Sequence, residues 1–570
     1  MKELWKLKDP TVTTVRGVVE KNTGMSADEL LSPKSCFVQN LKEAAEKIRK
    51  AIDAGQKFYI YGDYDADGVT STAILVRLLD YFHAEVIARL PKRFSEGYGL
   101  NAKVVDSILD ANPDIVITID NGIVAVEEIA TLKSHGIDVV IIDHHLRRDD
   151  GAIPNADVIV DPHVIEGSDF DGFCGAGLAY KLASQIVGTT APALLNSLQT
   201  LACIGTIADV MPLLYENRII VKEGLQKINA GKSVVGIHAL LGLLGLYEID
   251  TNEVAFKLGP IINAAGRMKD DGAELALALL TTDSYKDAED IANCLIAINS
   301  ERQATVKENL ATANNMIASQ CLFGDNPLIV YTTKEDALHF HEGVVGILAG
   351  KLAETFCRPT VVLTEVEDGV LKGSGRSYGT IHLKELLDTV SDTLLGYGGH
   401  AGAAGIKVSK ECLDDFIVAI QGSMAAFRNT EDIKTEKYYD MEISAADLNS
   451  VWTEMQAYAP FGESNPRLIF KVTDVNLTPK AGKFTKTMGE AGQHLKMFGN
   501  GFELLAFDGA QDYADLGTPT KLNVIGALST NSFGGKTMLQ IEASDFEEAT
   551  KSNPSSLASL LAATMRKNGF

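Results

Sequence analysis

Acidic residues and histidines follow directly after short apolar runs in the first half of this chain, and this repeated pairing constrains the fold more than any other feature. The runs at 58–61, 115–119 and 138–142 are β-branched or aromatic, which is typical of strands covered on both faces by helices. In an open α/β sheet, ligands bind outside the carboxyl ends of the strands. We therefore expect the side chains that follow these runs to lie together.

These side chains are carboxylates and imidazoles. They are Asp63, Asp65 and Asp67 in YGDYDADG, Asp120 in ITIDNG, Asp143, His144 and His145 in VIIDHHL, and Asp209 in GTIADVMPL. Hard oxygen ligands with an imidazole are the set that Mn2+ or Mg2+ prefers. Two catalytic ions about 3.5 to 4 Å apart need a shared carboxylate, and Asp120 at the tip of a central strand is placed to bridge them. The pattern predicts metal-assisted hydrolysis of phosphoesters.

Each element has an ordinary structural explanation when it is taken alone. An isolated Asp-x-Asp is usually a turn or a helix cap, because short carboxylates accept backbone hydrogen bonds there. A His-His pair is more often a surface or core polar pair than a metal site. Four such elements in this order, separated by alternating strand and helix patterns, favour a functional site.

The same residues carry a family resemblance. The segments YGDYDADGVTSTAIL, ITIDNG, VIIDHHL and ADVMPL resemble the four ordered motifs of the DHH phosphoesterase superfamily. Later segments resemble the RecJ family within it: PKRFSEGYGL, GPIINAAGRM, HEGVVGILAGKL, GSGRS, GYGGHAGAAG and APFGESNP. The resemblance runs from about residue 40 to about residue 545. It implies a nuclease specific for single-stranded DNA that acts 5′ to 3′ in DNA recombination and repair.

The candidate site residues divide into ligands and catalytic groups. The predicted ligands of two Mn2+ or Mg2+ ions are Asp63, Asp65, Asp67, Asp120, His144 and Asp209. Asp120, His144 and His145 are the predicted catalytic residues, with His145 stabilising the charge that develops on the phosphoryl oxygens. Either Asp63 or Asp65 could contact a metal directly at this spacing. Asp143 is expected to orient an imidazole from behind the ligands.

Glycine-rich segments in the second half predict a surface that binds the substrate. The candidates in these segments are His341, Ser374, Arg376 and His400, and the family resemblance adds Arg93 and Arg267. HEGVVGILAGKL is typical of a loop entering a helix, and the backbone N–H groups at a helix start attract phosphate. The resemblance implies that Arg93, Arg267, Ser374 and Arg376 select a 5′ phosphate. Taken singly, each glycine cluster is more often only a tight turn.

The hydrophobic pattern predicts an α/β protein with four domains and a tail. These are a parallel-sheet DHH domain with an N-terminal extension (1–270), a long helical connector of one or two helices (271–324), a second α/β, DHH-associated domain (325–430), a small OB-like β-barrel (431–550) and a tail (551–570). Strands are expected to alternate with helices from about residue 40 to about residue 250.

Lysines and aromatic residues are interleaved only in the barrel-like segment. Lys480, Lys483, Lys486 and Lys496 surround Phe484 and Phe498, with Glu490 as the one acid of this stretch. Stacking of bases on aromatic rings beside lysines is how OB folds hold single strands. A solvated hairpin with core phenylalanines is the alternative.

Charge and cysteine usage limit the partners and the compartment. The net charge of −24 means that binding of single-stranded DNA must depend on a local basic surface and on metal ions. Seven cysteines without paired spacing indicate a reducing compartment. The first residues lack the apolar core of a signal peptide, and no stretch approaches the roughly 20 apolar residues of a membrane span. We therefore expect a cytoplasmic protein that has no membrane association and works with a helicase and a single-strand-binding protein.

Two other functions stay open at this stage. The same metal site would serve a hydrolase of short oligonucleotides or cyclic dinucleotides, although the extra barrel argues against it. A catalytically silent DNA-binding scaffold is the other possibility. Such a protein would be free to lose its ligands, whereas this chain retains every candidate Asp and His.

Overall fold

The computed structural model describes residues 4–97, 99–319, 326–427, 436–533 and 536–549. These residues form two compact units. The smaller unit comprises the described residues of 1–34, 212–215 and 435–570, and the larger unit those of 35–211 and 216–434. The predicted tail, Cys321 and the last residues of the predicted connector lie outside the described residues. Within the described residues, no helix has both the length and the apolar character needed to cross a bilayer.

The N-terminal segment belongs to the smaller unit and contains one strand and two helices. They are β1 (Leu4–Leu7), α1 (Val15–Thr23) and α2 (Ala27–Leu31). Hydroxyl side chains start both helices. Thr14 accepts a hydrogen bond from the backbone N–H of Gly17, and Ser26 and Glu29 accept from each other's backbone N–H groups. Such caps satisfy N–H groups that a helix start leaves without partners.

The larger unit begins with a five-stranded parallel sheet and its helices. The elements are α3 (Leu41–Asp53), β2 (Phe58–Tyr61), α4 (Ala66–Tyr81), β3 (Val86–Arg89), α5 (Ala102–Ala111), β4 (Ile115–Ile119), α6 (Val126–Ser134), β5 (Asp138–Ile142) and β6 (Val158–Val160). The strand order is β3-β2-β4-β5-β6, so β4 is central. Every residue of β2 and β4 is buried, as the apolar runs predicted. The helix α4 is buried from Ala66 to Leu75.

Between β6 and the second sheet, the described residues form helices and no strand. They are α7 (Gly175–Val187), α8 (Pro192–Ala208), α9 (Tyr215–Asn229), α10 (Val235–Leu244), α11 (Thr251–Glu253), α12 (Gly259–Met268), α13 (Gly272–Thr281) and α14 (Tyr285–Ser319), with a π-helical turn at Val254–Leu258. The expectation that strands would continue to about residue 250 is wrong, since the parallel sheet ends at Val160. A buried apolar helix such as α8 has no polar stripe, and its periodicity does not distinguish it from a buried strand.

The second sheet of the larger unit has five strands and mixed direction. Its elements are β7 (Leu328–Thr332), α15 (Val345–Phe356), β8 (Thr360–Glu367), β9 (Val370–Arg376), α16 (Leu383–Asp388), β10 (Gly396–Gly399), β11 (Ala403–Ser409) and α17 (Leu413–Ser423). The order is β10-β11-β9-β8-β7, and only β7 and β8 are parallel neighbours. The predicted strand, helix and strand around residues 328–364 are therefore present.

The C-terminal part of the smaller unit is built around a seven-stranded sheet. Its elements are β12 (Glu436–Tyr439), β13 (Met441–Ser444), α18 (Leu448–Gln456), β14 (Ile469–Asn476), β15 (Thr485–Met488), β16 (His494–Phe498), β17 (Phe502–Ala506), α19 (Ala510–Asp515), β18 (Lys521–Phe533) and β19 (Lys536–Glu548). The order is β13-β14-β18-β19-β17-β16-β15. A single apolar core of this unit contains residues from β14, β16, β17, β18 and β19.

The N-terminal extension does not join the DHH domain to which the sequence analysis assigned it. Strand β1 pairs in parallel with β12, with Leu4 opposite Glu436. Val15 and Leu30 are buried in the same core as Phe470. The apolar faces of two short helices need a surface to cover, and nearness along the chain does not decide which surface that is. The predicted domain boundaries otherwise remain predictions.

We expect Leu30→Ala to destabilise the smaller unit by about 2 to 5 kcal/mol, because it removes a fully buried side chain from a packed core. Leu31→Ala is the matched control, since the neighbouring leucine is 39% exposed and its loss should cost about 0.5 kcal/mol or less. Urea unfolding followed by circular dichroism measures both. Equal midpoints for the two variants would show that the extension is not part of this core.

Candidate active site

The carboxyl ends of β2, β4 and β5 bring the predicted metal ligands to one edge of the parallel sheet. Asp120 follows β4 directly and adopts a left-handed backbone with φ of 59°. Gly122 follows at φ of 112°, and a Cβ there would lie 2.3 Å from Oγ1 of Thr118. This tight turn requires glycine. It ends the central strand with the carboxylate of Asp120 buried among the other candidates.

Three overlapping groups of ligand atoms form one cluster. In each group the candidate atoms lie within 4.8 Å of one another, and the groups are Asp63, Asp65 and Asp120; Asp67, His144 and Asp209; and Asp120, His144 and His145. Asp120 and His144 each belong to two groups. A bridging role for Asp120 between two ions fits this arrangement.

Backbone N–H groups hold two of the carboxylates in place. Asp65 caps α4, its Oδ1 accepting from the N–H groups of Asp67 and Gly68 at 3.0 Å each. Asp67 accepts from the start of another helix, α7, with 2.6 Å from the Gly175 N–H to Oδ2 and 2.9 Å from the Ala176 N–H to Oδ1. The positive end of a helix dipole stabilises such a carboxylate.

Asp143 lies behind the histidines, as expected. Its Oδ1 accepts from Nδ1 of His145 at 2.7 Å, and its Oδ2 accepts from the backbone N–H of Ile123 at 3.0 Å. His144 instead places Nε2 3.0 Å from Oδ1 of Asp120 and 3.7 Å from Oδ2 of Asp209. The two histidines therefore have different surroundings, one beside the candidate ligands and one supported by Asp143.

Burial and the nearness of other charged groups shift the pKa values of these side chains. Burial and neighbouring carboxylates raise the pKa of Asp63 and of Asp120 well above the usual range, and the same causes raise the pKa of Asp209 to about 8. Burial lowers the pKa of His144. Burial also opposes protonation of His145, but the hydrogen bond with Asp143 and nearby carboxylates outweigh it and raise its pKa to about 9.

The residues present fit a site for divalent cations. Oδ1 of Asp63 and Oδ2 of Asp209 are buried, and neither has a hydrogen-bond donor among the described residues. A buried carboxylate oxygen without a partner is costly, and several together repel each other. Cations at this position would both bind the unpartnered oxygens and reduce the repulsion between the carboxylates. A neutral imidazole, such as that of His144, is the form that binds a metal.

A second feature of the larger unit is a cleft of about 260 Å³ lined by four of the predicted substrate-binding residues. Arg93, Arg267, Ser374 and Arg376 all line it, together with Val345 and Gly346 at the start of α15. Arg376 donates from Nη1 to Oγ of Ser374 at 2.8 Å. A Cβ on Gly346 would lie 3.3 Å from Nη2 of Arg376, so glycine leaves room beside the guanidinium.

The cleft is rich in positive charge, and Glu342 is the one acidic residue among the described residues that line it. Among the described residues, no carboxylate forms an ion pair with Arg93, Arg267 or Arg376. Burial lowers the pKa of Arg267 to about 10, and burial also lowers the pKa of Arg376. Arg93 lies over the ring of Tyr64, 4.9 Å from its centroid. Guanidinium groups that no described carboxylate pairs are suited to bind an anion.

The two predicted histidines of this region differ in position. His341 is half-buried and caps the short 3-10 helix Glu342–Val344, with its ring 6.0 Å from that of Phe94, which lines the cleft. His400 is exposed in the turn between β10 and β11, where Nδ1 accepts from the backbone N–H of Gly402. It is not among the described residues that line the cleft.

Lys372 and Phe94 also line the cleft, and the sequence analysis missed both. Lys372 lies on β9 with Ser374 and Arg376, and alternate residues of a strand share a face. That spacing was a usable signal for Lys372. No such sequence signal pointed to Phe94, because an aromatic residue in a loop is as typical of a core contact as of a binding site.

In the smaller unit, the predicted lysine surface is partly neutralised. Lys480 and Lys496 both form ion pairs with Glu503 of β17, at 3.2 Å and 2.8 Å. Glu503 follows Lys496 by seven residues, and the antiparallel pairing of β16 with β17 brings it to the lysines. Phe484 remains 37% exposed.

Family models match three regions of the chain. They are the DHH family N-terminal domain at residues 57–206, the DHHA1 domain at 325–426 and the RecJ OB domain at 439–545. The single-stranded-DNA-specific exonuclease RecJ of Thermus thermophilus is 33% identical over 517 residues, which are 90% of this chain and 71% of the relative. This chain belongs to the RecJ family. The Bacillus subtilis RecJ is 32% identical over 89% of this chain, which spans 63% of that relative's length.

Solved RecJ structures agree with this assignment. The crystal structure of Thermus thermophilus RecJ in complex with Mn2+ matches with a TM-score of 0.78 and 29% identity, covering 96% of this chain and 80% of that chain. The same protein in complex with Mg2+ matches with a TM-score of 0.72 and 27% identity, covering 96% and 79%. The predicted family and fold class are confirmed. The individual site residues stay predictions.

Gly175 provides a test of how the site is held. A Cβ on this residue would lie 2.8 Å from Cβ of Asp120 and 2.9 Å from Oδ2 of Asp67. We expect Gly175→Ala to weaken Mn2+ binding by about 10- to 100-fold, as loss of groups that orient metal ligands usually does. Isothermal calorimetry measures the affinity.

Gly177→Ala is the matched control in the same helix. A Cβ there would meet Phe173 at 3.4 Å, an ordinary contact, and alanine favours a helix. This variant should bind Mn2+ like the parent. Equal affinity for the two variants would contradict the role given to the close approach of α7.

Proposed function

We propose that this chain is a metal-dependent exonuclease that degrades single-stranded DNA from its 5′ end by hydrolysis of phosphodiesters. The observation that carries the proposal is that one folding unit contains both a buried cluster of carboxylates and histidines and a cleft lined by three arginines that pair with no carboxylate of the described residues. Membership in the RecJ family supports the same activity.

The six predicted ligands are the residues that would hold two Mn2+ or Mg2+ ions. They are Asp63, Asp65, Asp67, Asp120, His144 and Asp209. Such ions, when bound, supply positive charge to the phosphoryl oxygens and lower the pKa of the attacking water. The contribution of the protein is to fix these ligands, which the N–H groups at the starts of α4 and α7 do for Asp65 and Asp67.

His145 supplies charge of its own. Because its pKa is raised to about 9, the imidazole is protonated at neutral pH, and its Nδ1–H is held by Asp143. A fixed cation at the edge of the cluster would stabilise the negative charge that develops on the phosphoryl oxygens. Asp143 keeps that cation oriented and so acts through His145.

The cleft would select the end of the strand. A terminal phosphate carries more charge than a phosphodiester, and guanidinium groups with the N–H groups of a helix start bind it well. The first residues of α15, Val345 and Gly346, line the cleft beside Arg376 and Ser374. Lys372 also lines the cleft, where its Nζ lies 3.9 Å from Oε1 of Glu367.

The C-terminal OB domain would hold the strand beyond the catalytic unit. Exposed Phe484 and the lysines that Glu503 does not pair, Lys483 and Lys486, are the residues proposed to contact bases and phosphates. A matched OB domain favours long single strands over dinucleotides as substrates. The retained ligand cluster disfavours an inactive scaffold.

The proposed setting is DNA recombination and repair in the cytoplasm, where the substrate lies. Single strands are produced from duplex by unwinding and are covered by binding proteins. A helicase and a single-strand-binding protein therefore remain the proposed partners, with single-stranded DNA as the substrate.

Polarity and strand form test the proposal directly. With Mn2+ present, a single strand labelled at its 5′ end should release labelled mononucleotide at once, whereas a 3′ label should appear only at the end of digestion. Blunt duplex should be resistant, because a cleft of this size admits one strand. Labelled products are separated by gel electrophoresis.

Two controls accompany this assay. EDTA should stop release, and Asp120→Ala should abolish it while strand binding persists, because the cluster loses its shared carboxylate. Early release of the 3′ label, or duplex digestion at the single-strand rate, would refute the proposal.

Arg376→Ala separates selection of the strand end from chemistry. Loss of one charge-assisted contact should raise KM for 5′-phosphorylated strands by about 10- to 100-fold and should leave kcat and Mn2+ affinity unchanged. KM for strands with a 5′ hydroxyl should change little. Steady-state kinetics on the two substrates measure the difference.

Lys351→Ala is the control for nonspecific loss of charge. Lys351 is exposed on α15 and is not among the described residues that line the cleft. Arg376 does not select the phosphate if Lys351→Ala raises KM as much as Arg376→Ala does. The same holds if Arg376→Ala raises KM equally for both substrates.

A further inference from the structure

We propose that His163 is a positioning residue of the metal centre, which holds the backbone of His144 through its ring Nδ1. The inference rests on the proposed function, because it concerns how a predicted metal ligand is held. His163 lies in the turn after β6, at the edge of the parallel sheet. It belongs to none of the motifs that identify the site.

The contact joins a side chain to a peptide group. Nδ1 of His163 lies 2.5 Å from the carbonyl oxygen of His144. A carbonyl oxygen only accepts hydrogen bonds, so Nδ1 must carry the proton. The ring is therefore held with Nδ1–H on the His144 carbonyl oxygen, and Nε2 is not part of this contact.

The turn that carries His163 is itself well fixed. Asp161 is 1% exposed, and its Oδ1 accepts from the backbone N–H of His163 at 2.9 Å. Its carbonyl oxygen accepts from the N–H groups of Val164 and Ile165 at 3.2 Å and 2.8 Å. The turn begins where β5 and β6 are still paired, since Asp143 N–H donates to the Val160 carbonyl oxygen at 2.9 Å. These hydrogen bonds fix the backbone from which the His163 imidazole projects.

The consequence is that His144 is held on both sides of its α-carbon. Its backbone N–H donates to Oδ1 of Asp143 at 2.8 Å, and its carbonyl oxygen accepts from His163. With both peptide groups fixed, the His144 ring keeps Nε2 3.0 Å from Asp120. Loss of the His163 contact would leave the peptide group between His144 and His145 held only through the His145 N–H, which donates to Oδ1 of Asp143 at 3.2 Å. We infer weaker metal binding and slower turnover, with DNA binding unchanged.

A different role for the same side chain would give a different result. His163 is exposed overall, so its Nε2 is the atom that would contact a DNA strand. Asparagine carries its amide nitrogen at the same number of bonds from Cβ as Nδ1 of histidine, and glutamine carries it at the position of Nε2. Substitution by these two amides therefore distinguishes the roles.

The experiment compares the parent with His163→Phe, His163→Asn and His163→Gln. Mn2+ affinity is measured without DNA by electron paramagnetic resonance, and kcat, KM and Tm are measured for each variant. His163→Phe should weaken Mn2+ binding and lower kcat by about three- to tenfold, with KM for DNA and Tm unchanged. His163→Asn should retain most of the parent's Mn2+ affinity and kcat, and His163→Gln should not.

Other outcomes overturn the inference. If His163→Gln rescues and His163→Asn does not, or if KM rises with Mn2+ affinity intact, His163 contacts DNA and does not position His144. If the parent binds Mn2+ and His163→Phe binds it equally well, only the role of His163 fails. If the parent itself binds no Mn2+, the proposed metal centre fails with it.

Discussion

Repulsion among buried carboxylates is the constraint on which the rest of the larger unit depends. Asp63, Asp67 and Asp120 are at most 3% exposed and lie in one cluster. Such a cluster is unfavourable in a low-dielectric interior unless donors and cations compensate it. The fold provides donors from the starts of α4 and α7, and it leaves other carboxylate oxygens without donors among the described residues. Some carboxylate oxygens are thus held by backbone donors and others lack donors among the described residues, which is an arrangement that fits divalent cations.

Close packing of helices makes this possible. The helix α4 is buried, and α7 and α8 approach its first turn so closely that glycine is required at contact points. A Cβ on Gly205 of α8 would lie 2.7 Å from Oδ1 of Asp67, and one on Gly175 of α7 would lie 2.9 Å from Oδ2. Side chains at these positions would push the carboxylate away from its partners. Stability and ligand geometry thus depend on the same contacts.

Positive charge is local in a protein that is acidic overall. The net charge of −24 would repel DNA at a distance, yet the cleft combines Arg93, Arg267 and Arg376 without ion-pair partners among the described residues. Elsewhere lysines are neutralised, as Glu503 neutralises Lys480 and Lys496. A substrate phosphate would therefore meet concentrated charge at one place. Under the proposed function, this arrangement would favour selection of a strand end over general affinity for nucleic acid.

The sequence by itself determined the parallel strands, the identity of the cluster residues and the family. Each of these depends on local pattern: buried strands are continuous apolar runs, and ligands follow them directly. Only the tertiary structure decided which residues from distant parts of the chain contact these strands and ligands. It paired the N-terminal strand with β12, brought Gly175 to Asp67, placed Lys372 in the cleft and put Nδ1 of His163 against the His144 carbonyl oxygen. The physical reason is that contacts between distant segments arise from packing and register, which no local periodicity encodes.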